Sequence, residues 1–150
     1  LIEKFGNDKK FFLILKPHPQ EQDVDIYQNI IEKNNCNNAI ILHDNIYELI
    51  SSSDILISVF STTMIDALCF HKPVIQVKFD SDQNILFDNE NVIINSDLIS
   101  LDKNIKNILL RENKKIKNNI VDFIKDQYTI PENHPELILK SILDNDENIL

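Results

Sequence analysis

The sequence predicts an α/β protein, a Rossmann-like, doubly wound parallel sheet with a helical carboxyl-terminal tail. Three observations predict it. Apolar runs of strand length alternate with helical patterns between Phe11 and Ile94. The connections between them are short, which favours βαβ units over an α+β layout. From Asp97 onward the apolar spacing is helical only.

Residues Leu1 to Phe5 read as the end of a helix, with Gly6, the only glycine, at its C-cap. Phe11-Phe12-Leu13-Ile14-Leu15 is a continuous apolar run stopped by Pro17 and Pro19, as suits a strand buried on both faces. A helix comes next, from about Gln22 to Lys33, with Val24, Ile26, Tyr27, Ile30 and Ile31 as its apolar positions. Ala39–Leu42 is the second strand, and Ile46–Ile50 a brief helix ended by three serines. Ile55–Val59 is the third strand. Ser61 then opens a helix with Ile65, Leu68 and Cys69 on one face. Val74–Val77 and Asn91–Ile94 are the fourth and fifth strands. Helices are expected over about 97–110, 112–126 and, after Pro131, 132–144, and the irregular stretch from Lys78 to Asn89 reads as a loop.

The chain has 150 residues, enough for one domain with a real core. No apolar run approaches the ~20 residues that span a bilayer, and no stretch resembles a signal peptide. A net charge of −9 argues against a nucleic-acid or anionic-membrane surface, although a few groups suffice to hold one diphosphate. Lys114-Lys115-Ile116-Lys117 reads as a solvated helix face. Cys36 and Cys69 have neither metal-ligand nor disulfide spacing, and a reducing, cytoplasmic setting is the simplest reading.

Two segments carry chemistry. His18 sits between two prolines directly after an apolar strand, so the chain there is extended and the imidazole has a fixed origin. Such a group can donate to a phosphate oxygen or protonate a leaving phosphate, although a structural His at a strand end is an equal reading. Ser61, Thr62 and Thr63 open a helix at another strand end, where hydroxyls and free backbone N–H groups suit an anion; the plainer reading is an N-cap. Asp66 lies one turn further on the same face, placed either for a ribose diol or as a carboxylate favoured near a helix start. If both strands belong to one parallel sheet, the two segments face the same crevice at its carboxyl edge.

One glycine cannot supply a GxGxxG or P-loop, which removes the ordinary nicotinamide dehydrogenase and P-loop readings. There is no HExxH, no Cys/His metal cluster and no GxSxG elbow, so neither a metal nor a cofactor is expected. Asp54 precedes its strand rather than ending it, which argues against a phospho-receiver module.

Lys16-Pro17-His18-Pro19 with Glu21, then Ser58 to Leu68 and Lys72-Pro73-Val74-Ile75, resemble the donor-binding half of GT-B glycosyltransferases. The resemblance is to the CDP-glycerol glycerophosphotransferase, capsule and sialyltransferase-like group, and covers about residues 1–95. It implies that His18, Ser61, Thr62 and Thr63 hold the donor phosphates, Asp66 the ribose, and the region from His43 to Tyr47 the nucleobase. The donor would be a nucleotide-activated sugar or CDP-glycerol.

The chain would then be most of one half-enzyme: a single donor-binding domain lacking its first strand, the amino-terminal acceptor domain and the catalytic base. Alone, it would bind nucleotide weakly and transfer nothing. The full protein would work in surface-polysaccharide or teichoic-acid-like synthesis at the inner membrane face. His71 stands where such proteins commonly have Gly, so the helix end should lack its usual cap. UDP-N-acetylglucosamine 2-epimerases are the alternative enzyme, though they carry glycines where this chain has Thr62-Thr63. A non-catalytic α/β binding module is the third reading.

Overall fold

The computed structural model describes residues 1–79, 89–110 and 114–127. The helix expected over 132–144 and most of the expected loop after Lys78 lie outside the described residues. The chain divides into two compact units, Leu1–Asp54 and Ile55–Leu150.

The first unit contains α1 (Ile2–Phe5), β1 (Leu13–Leu15), α2 (Asp25–Lys33), β2 (Ala39–Ile41) and α3 (Ile46–Ser52). β1 and β2 are parallel, with Leu13 opposite Ala39 and Leu15 opposite Ile41. Ile2, Phe5, Phe11, Ile31 and Ile50 are its buried apolar residues. Phe5 and Phe11 meet edge to face with ring centroids 5.0 Å apart, an arrangement the ring quadrupoles favour. The first apolar run is not buried on both faces as expected: Phe11 is buried, β1 is half-buried, and Phe12 is exposed.

The second unit contains β3 (Leu56–Ser58), α4 (Thr63–Cys69), β4 (Val74–Val77), β5 (Ile93–Ser96), α5 (Leu101–Leu110) and α6 (Lys114–Gln127). Its strands are all parallel, in the order β3-β4-β5. Every residue of the central strand β4 is buried, as covering both faces of a parallel sheet requires. Met64, Ala67 and Leu68 of α4 are buried, with Ile116 and Ile120 of α6. Lys114, Lys115 and Lys117 are exposed around buried Ile116, the solvated face read from sequence.

The fold class is therefore as read, α/β with parallel strands and a helical tail. The hydrogen-bonded strands form two sheets, where one continuous sheet was expected. β5 begins two residues later than expected because Val92 and Ile93 donate backwards to the Asn89 carbonyl, making that stretch a turn. α5 begins at Leu101, not Asp97, because Asp97 Oδ1 accepts from both the Ser100 N–H and hydroxyl, each at 2.6 Å. Asp97 to Ser100 is thus a capping turn.

The helix ends explain how two of the parallel pairs, β1 with β2 and β3 with β4, are closed. At the end of α2, Cys36 N–H donates to the Ile31 carbonyl and Asn35 N–H to that of Glu32, with Asn35 at φ 47°. At the end of α4, Lys72 N–H donates to Ala67 and His71 N–H to Leu68, with His71 at φ 55°. Both are Schellman closures around a left-handed residue. The expectation that His71 leaves its helix uncapped is overturned: the imidazole-bearing residue itself adopts the conformation that glycine would take.

Gly6 does stand at the C-cap of α1, but with φ −61° it needs no left-handed freedom. A Cβ there would lie 2.5 Å from Cys36 Sγ and 2.6 Å from the Ile2 carbonyl oxygen. Close approach is what requires glycine.

These backbone positions set two outcomes. Gly6→Ala should lower stability by about 1–3 kcal/mol through overpacking, whereas His71→Gly should raise it by roughly 0.5–1 kcal/mol by relieving the left-handed strain. Urea unfolding of the two variants beside the parent measures both.

Asp97 gives a pH-dependent outcome. The Ser100 hydroxyl, then the Ser100 N–H, hold its carboxyl below the ordinary aspartate value. Its stabilisation is therefore complete above the unfolded pKa of about 3.9 and is lost as pH falls through the lower folded value. Melting temperature measured from neutral to acid pH should fall less steeply in Asp97→Asn than in the parent.

Candidate functional site

β1 ends at Leu15, and Lys16-Pro17-His18-Pro19 carries the chain off the sheet. Glu21 N–H donates to the His18 carbonyl at 2.9 Å, closing a β-turn with Pro19 in its second position. The fixed φ of proline suits that position. Within the turn, Gln20 N–H donates to His18 Nδ1 at 3.2 Å. His18 N–H donates to Glu21 Oε2, also at 3.2 Å. The second carboxylate oxygen, Oε1, accepts from the Tyr27 hydroxyl on the first turn of α2.

This local network decides the chemistry of His18. A ring nitrogen that accepts a hydrogen bond carries no proton, so the neutral imidazole is protonated at Nε2. Nε2 has no partner among the described residues, and His18 is exposed. The turn therefore presents one N–H donor outward. Lys16 is half-buried.

β1 and β2 are parallel, so the Lys16–Glu21 turn and the Leu42–Asn45 turn leave the same edge of the first sheet. His43 and Tyr47 are exposed there. Asn45 Oδ1 accepts from the Tyr47 N–H at 2.9 Å and caps α3.

In the second unit, β3 ends at Ser58, and exposed Val59 and Phe60 lead to Ser61. The Ser61 hydroxyl accepts from the Thr63 N–H at 3.3 Å and lies 2.7 Å from the Thr63 hydroxyl. The structure brings Ser61 and Thr63 together in a local turn. But α4 begins at Thr63 and its N-cap is Thr62, whose side chain makes no capping bond, so Ser61 stands one residue ahead of the cap expected of it. Thr62 is exposed, and its hydroxyl has no partner among the described residues.

Asp66 comes one turn later in the seven-residue α4, half-buried, its carboxylate without a hydrogen bond or ion pair among the described residues. Partial burial, then the Asp66 carboxylate, push the Cys69 thiol up from its ordinary value. Cys69 is exposed, so the buried face of α4 is Met64-Ala67-Leu68 and not the expected Ile65-Leu68-Cys69 stripe.

Gln76 and Asn95 escape the sequence reading, and Ser58 enters it only as the first residue of the Ser58–Leu68 segment. Ser58, Gln76 and Asn95 are paired in register across β3, β4 and β5 and so share one face. Gln76 is fully buried. Both polar atoms of the Asn95 carboxamide are shut off from solvent with no hydrogen-bond partner among the described residues. Their signal in the sequence is a polar residue near the end of each apolar run. Glu21 and Tyr27 are visible there too, one beside the Lys16–Pro19 motif and the other as an apolar helix position. Nothing in their spacing connects either to His18.

Among the described residues no group of His, Cys, Asp and Glu side chains could hold a metal ion. No described helix is long and apolar enough to cross a membrane.

A protein-family model described as CDP-glycerol:poly(glycerophosphate) glycerophosphotransferase matches residues 1–85. The match runs through both the His18 turn and the Ser61–Asp66 segment and covers more than half of the chain. The chain belongs to that family. No curated protein and no solved structure matches it.

The Tyr27–Glu21 contact has a spectroscopic consequence. The hydrogen bond to Glu21, then partial burial and the carboxylate charge, push the Tyr27 phenol above its ordinary value. The contact is thus complete below about pH 10 and is lost as pH rises through the higher folded value. Ultraviolet titration of the parent minus Tyr27→Phe should show a phenolate appearing above that range; in Glu21→Gln the same signal should appear at lower pH.

Proposed function

We propose that this member of the glycerophosphotransferase family binds a nucleotide-activated donor, CDP-glycerol first among candidates. It would serve the transfer of glycerophosphate to a growing cell-envelope polymer. The observation that carries the reading is the family match through residues 1–85, which includes every predicted site residue. The resemblance to the donor half of GT-B enzymes supports it. In this reading a cytoplasmic donor meets its acceptor at the inner membrane face.

The chemistry demanded is charge stabilisation. An acceptor hydroxyl oxygen bonds to the phosphorus that bears glycerol, the bridging P–O bond breaks, and CMP leaves with the electron pair. The acceptor proton passes to a base, which this reading places in an amino-terminal acceptor domain outside residues 1–150. Phosphoryl transfer gains most from donors fixed around the phosphate oxygens. In the first unit His18 Nε2–H is suited to supply one such donor, and in the second unit the hydroxyls of Ser61, Thr62 and Thr63 are suited to supply others. Asp66, whose carboxylate has no hydrogen bond or ion pair among the described residues, is suited to accept from the two ribose hydroxyls.

Titration of the chain with CDP-glycerol, monitored by NMR, should perturb the His18 ring and the Ser61–Thr63 amides. CMP and CDP should do so more weakly, and UDP least. A hydrogen bond to a charged group contributes about 1.5–3 kcal/mol, so His18→Ala and Thr62→Ala should each weaken binding about tenfold or more. If no nucleotide perturbs these signals in the folded chain, the donor reading is wrong. Binding that is indifferent to both substitutions would instead discard the site.

A further inference from the structure

The turn that carries His18 is braced from one side by two residues that touch no proposed ligand atom. Glu21 holds both ends of it: its N–H bonds the His18 carbonyl, and its Oε2 accepts the His18 N–H. Its other oxygen is engaged by the Tyr27 hydroxyl. Tyr27 is itself fixed in α2, where its N–H donates to the Val24 carbonyl. The connection therefore runs from a helix, through a phenol and a carboxylate, to the backbone of the histidine. Gln20, whose N–H meets Nδ1, lies inside the turn that the Glu21 N–H closes and the Glu21 carboxylate braces.

From this geometry we propose that Glu21 and Tyr27 are positioning residues of His18, which fix its ring direction and its Nε2–H tautomer for the donor phosphate. The tautomer is set because Gln20 N–H can reach Nδ1 only while the turn is closed. With the turn open, the exposed ring rotates and either nitrogen can carry the proton. A phosphate oxygen accepts and cannot donate, so a ring presenting a bare nitrogen in that direction offers it nothing. The carboxylate is suited to this work because both its oxygens accept at once, one from backbone and one from the phenol.

The ligand part of this proposal rests on the donor reading above; the bracket itself does not. The two are separated by measuring them apart. Ring-nitrogen NMR of His18 in the intact chain, without nucleotide, reports the tautomer directly. The parent should show a dominant Nε2–H form. Tyr27→Phe, which keeps the ring in α2, should move it towards an even mixture, and Glu21→Ala further. Glu21→Gln, which retains one accepting oxygen, should restore part of the preference. CDP-glycerol affinity should fall in the same order, about three- to tenfold for Tyr27→Phe. In a His18→Ala background Tyr27→Phe should then cost nothing more, which a purely structural tyrosine would not satisfy.

An unchanged tautomer in both Tyr27→Phe and Glu21→Ala overturns the bracket, even where CDP-glycerol still perturbs His18 and the donor reading survives. A tautomer that shifts as expected while CDP-glycerol never perturbs His18 upholds the bracket and rejects the donor reading. An affinity loss in Tyr27→Phe that persists in the His18→Ala background assigns the tyrosine elsewhere and overturns the positioning role.

Discussion

Parallel strands cannot be joined by a tight turn, because the chain that leaves one edge has to return to the opposite edge before pairing. In this protein the returns from β1 to β2 and from β3 to β4 are each made by a helix whose last turn converts directly into the approach to the next strand. Asn35 closes α2 shortly before β2, and His71 closes α4 just before β4. Each does so in the left-handed conformation and delivers two backward hydrogen bonds to the helix. A chain with one glycine makes both closures from side-chain-bearing residues, while that glycine is held elsewhere by the approach of Cys36.

That closure decides where polar chemistry can lie. Once the return crossing is fixed, the outgoing turns within each sheet all leave from the carboxyl edge. In the first sheet these are the His18 turn and the His43–Asn45 turn; in the second they are the Ser61–Thr63 turn and the Asp97–Ser100 turn. The strands are only three or four residues long, so the sheet alone does little to stiffen the turns at its edge. Local hydrogen bonds supply the stiffness instead. The Ser61 and Thr63 hydroxyls bond one another, Asp97 grips Ser100 twice, and Glu21 grips His18.

Most of this fold is legible in the sequence because apolar run length and turn residues report the element type directly. β4 is readable to the residue, since Lys72-Pro73 before it and full burial along it leave no choice of register. The misreadings at element ends share a cause, which is that local hydrogen bonds override composition there. Asp97 looks like a helix start and is a capping turn; Asn91-Val92 looks like strand and folds back onto Asn89. His71 looks like a lost cap because composition reports what usually adopts a left-handed φ, not what the closure compels. Among the candidate residues, His18 in the first unit and Ser61 and Asp66 in the second stand out in the sequence by their place after apolar runs. Tyr27 is not, since at helical spacing an aromatic is ordinarily core; only the folded chain shows its hydroxyl turned to Glu21.

An exposed imidazole is a poor hydrogen-bond donor until something decides which nitrogen bears the proton and where it points. Burial would do both but would close the ring off from any ligand. Here the decision is made by residues 18 to 27 of one connection, with one ring nitrogen engaged and the other left outward. Such a bracket depends on α2 being formed, and its hydrogen bonds reach no further along the chain than Tyr27. On the proposed reading the presentation of His18 is a property of the first βα connection itself, set before any ligand arrives, so that a donor phosphate would not have to order the ring.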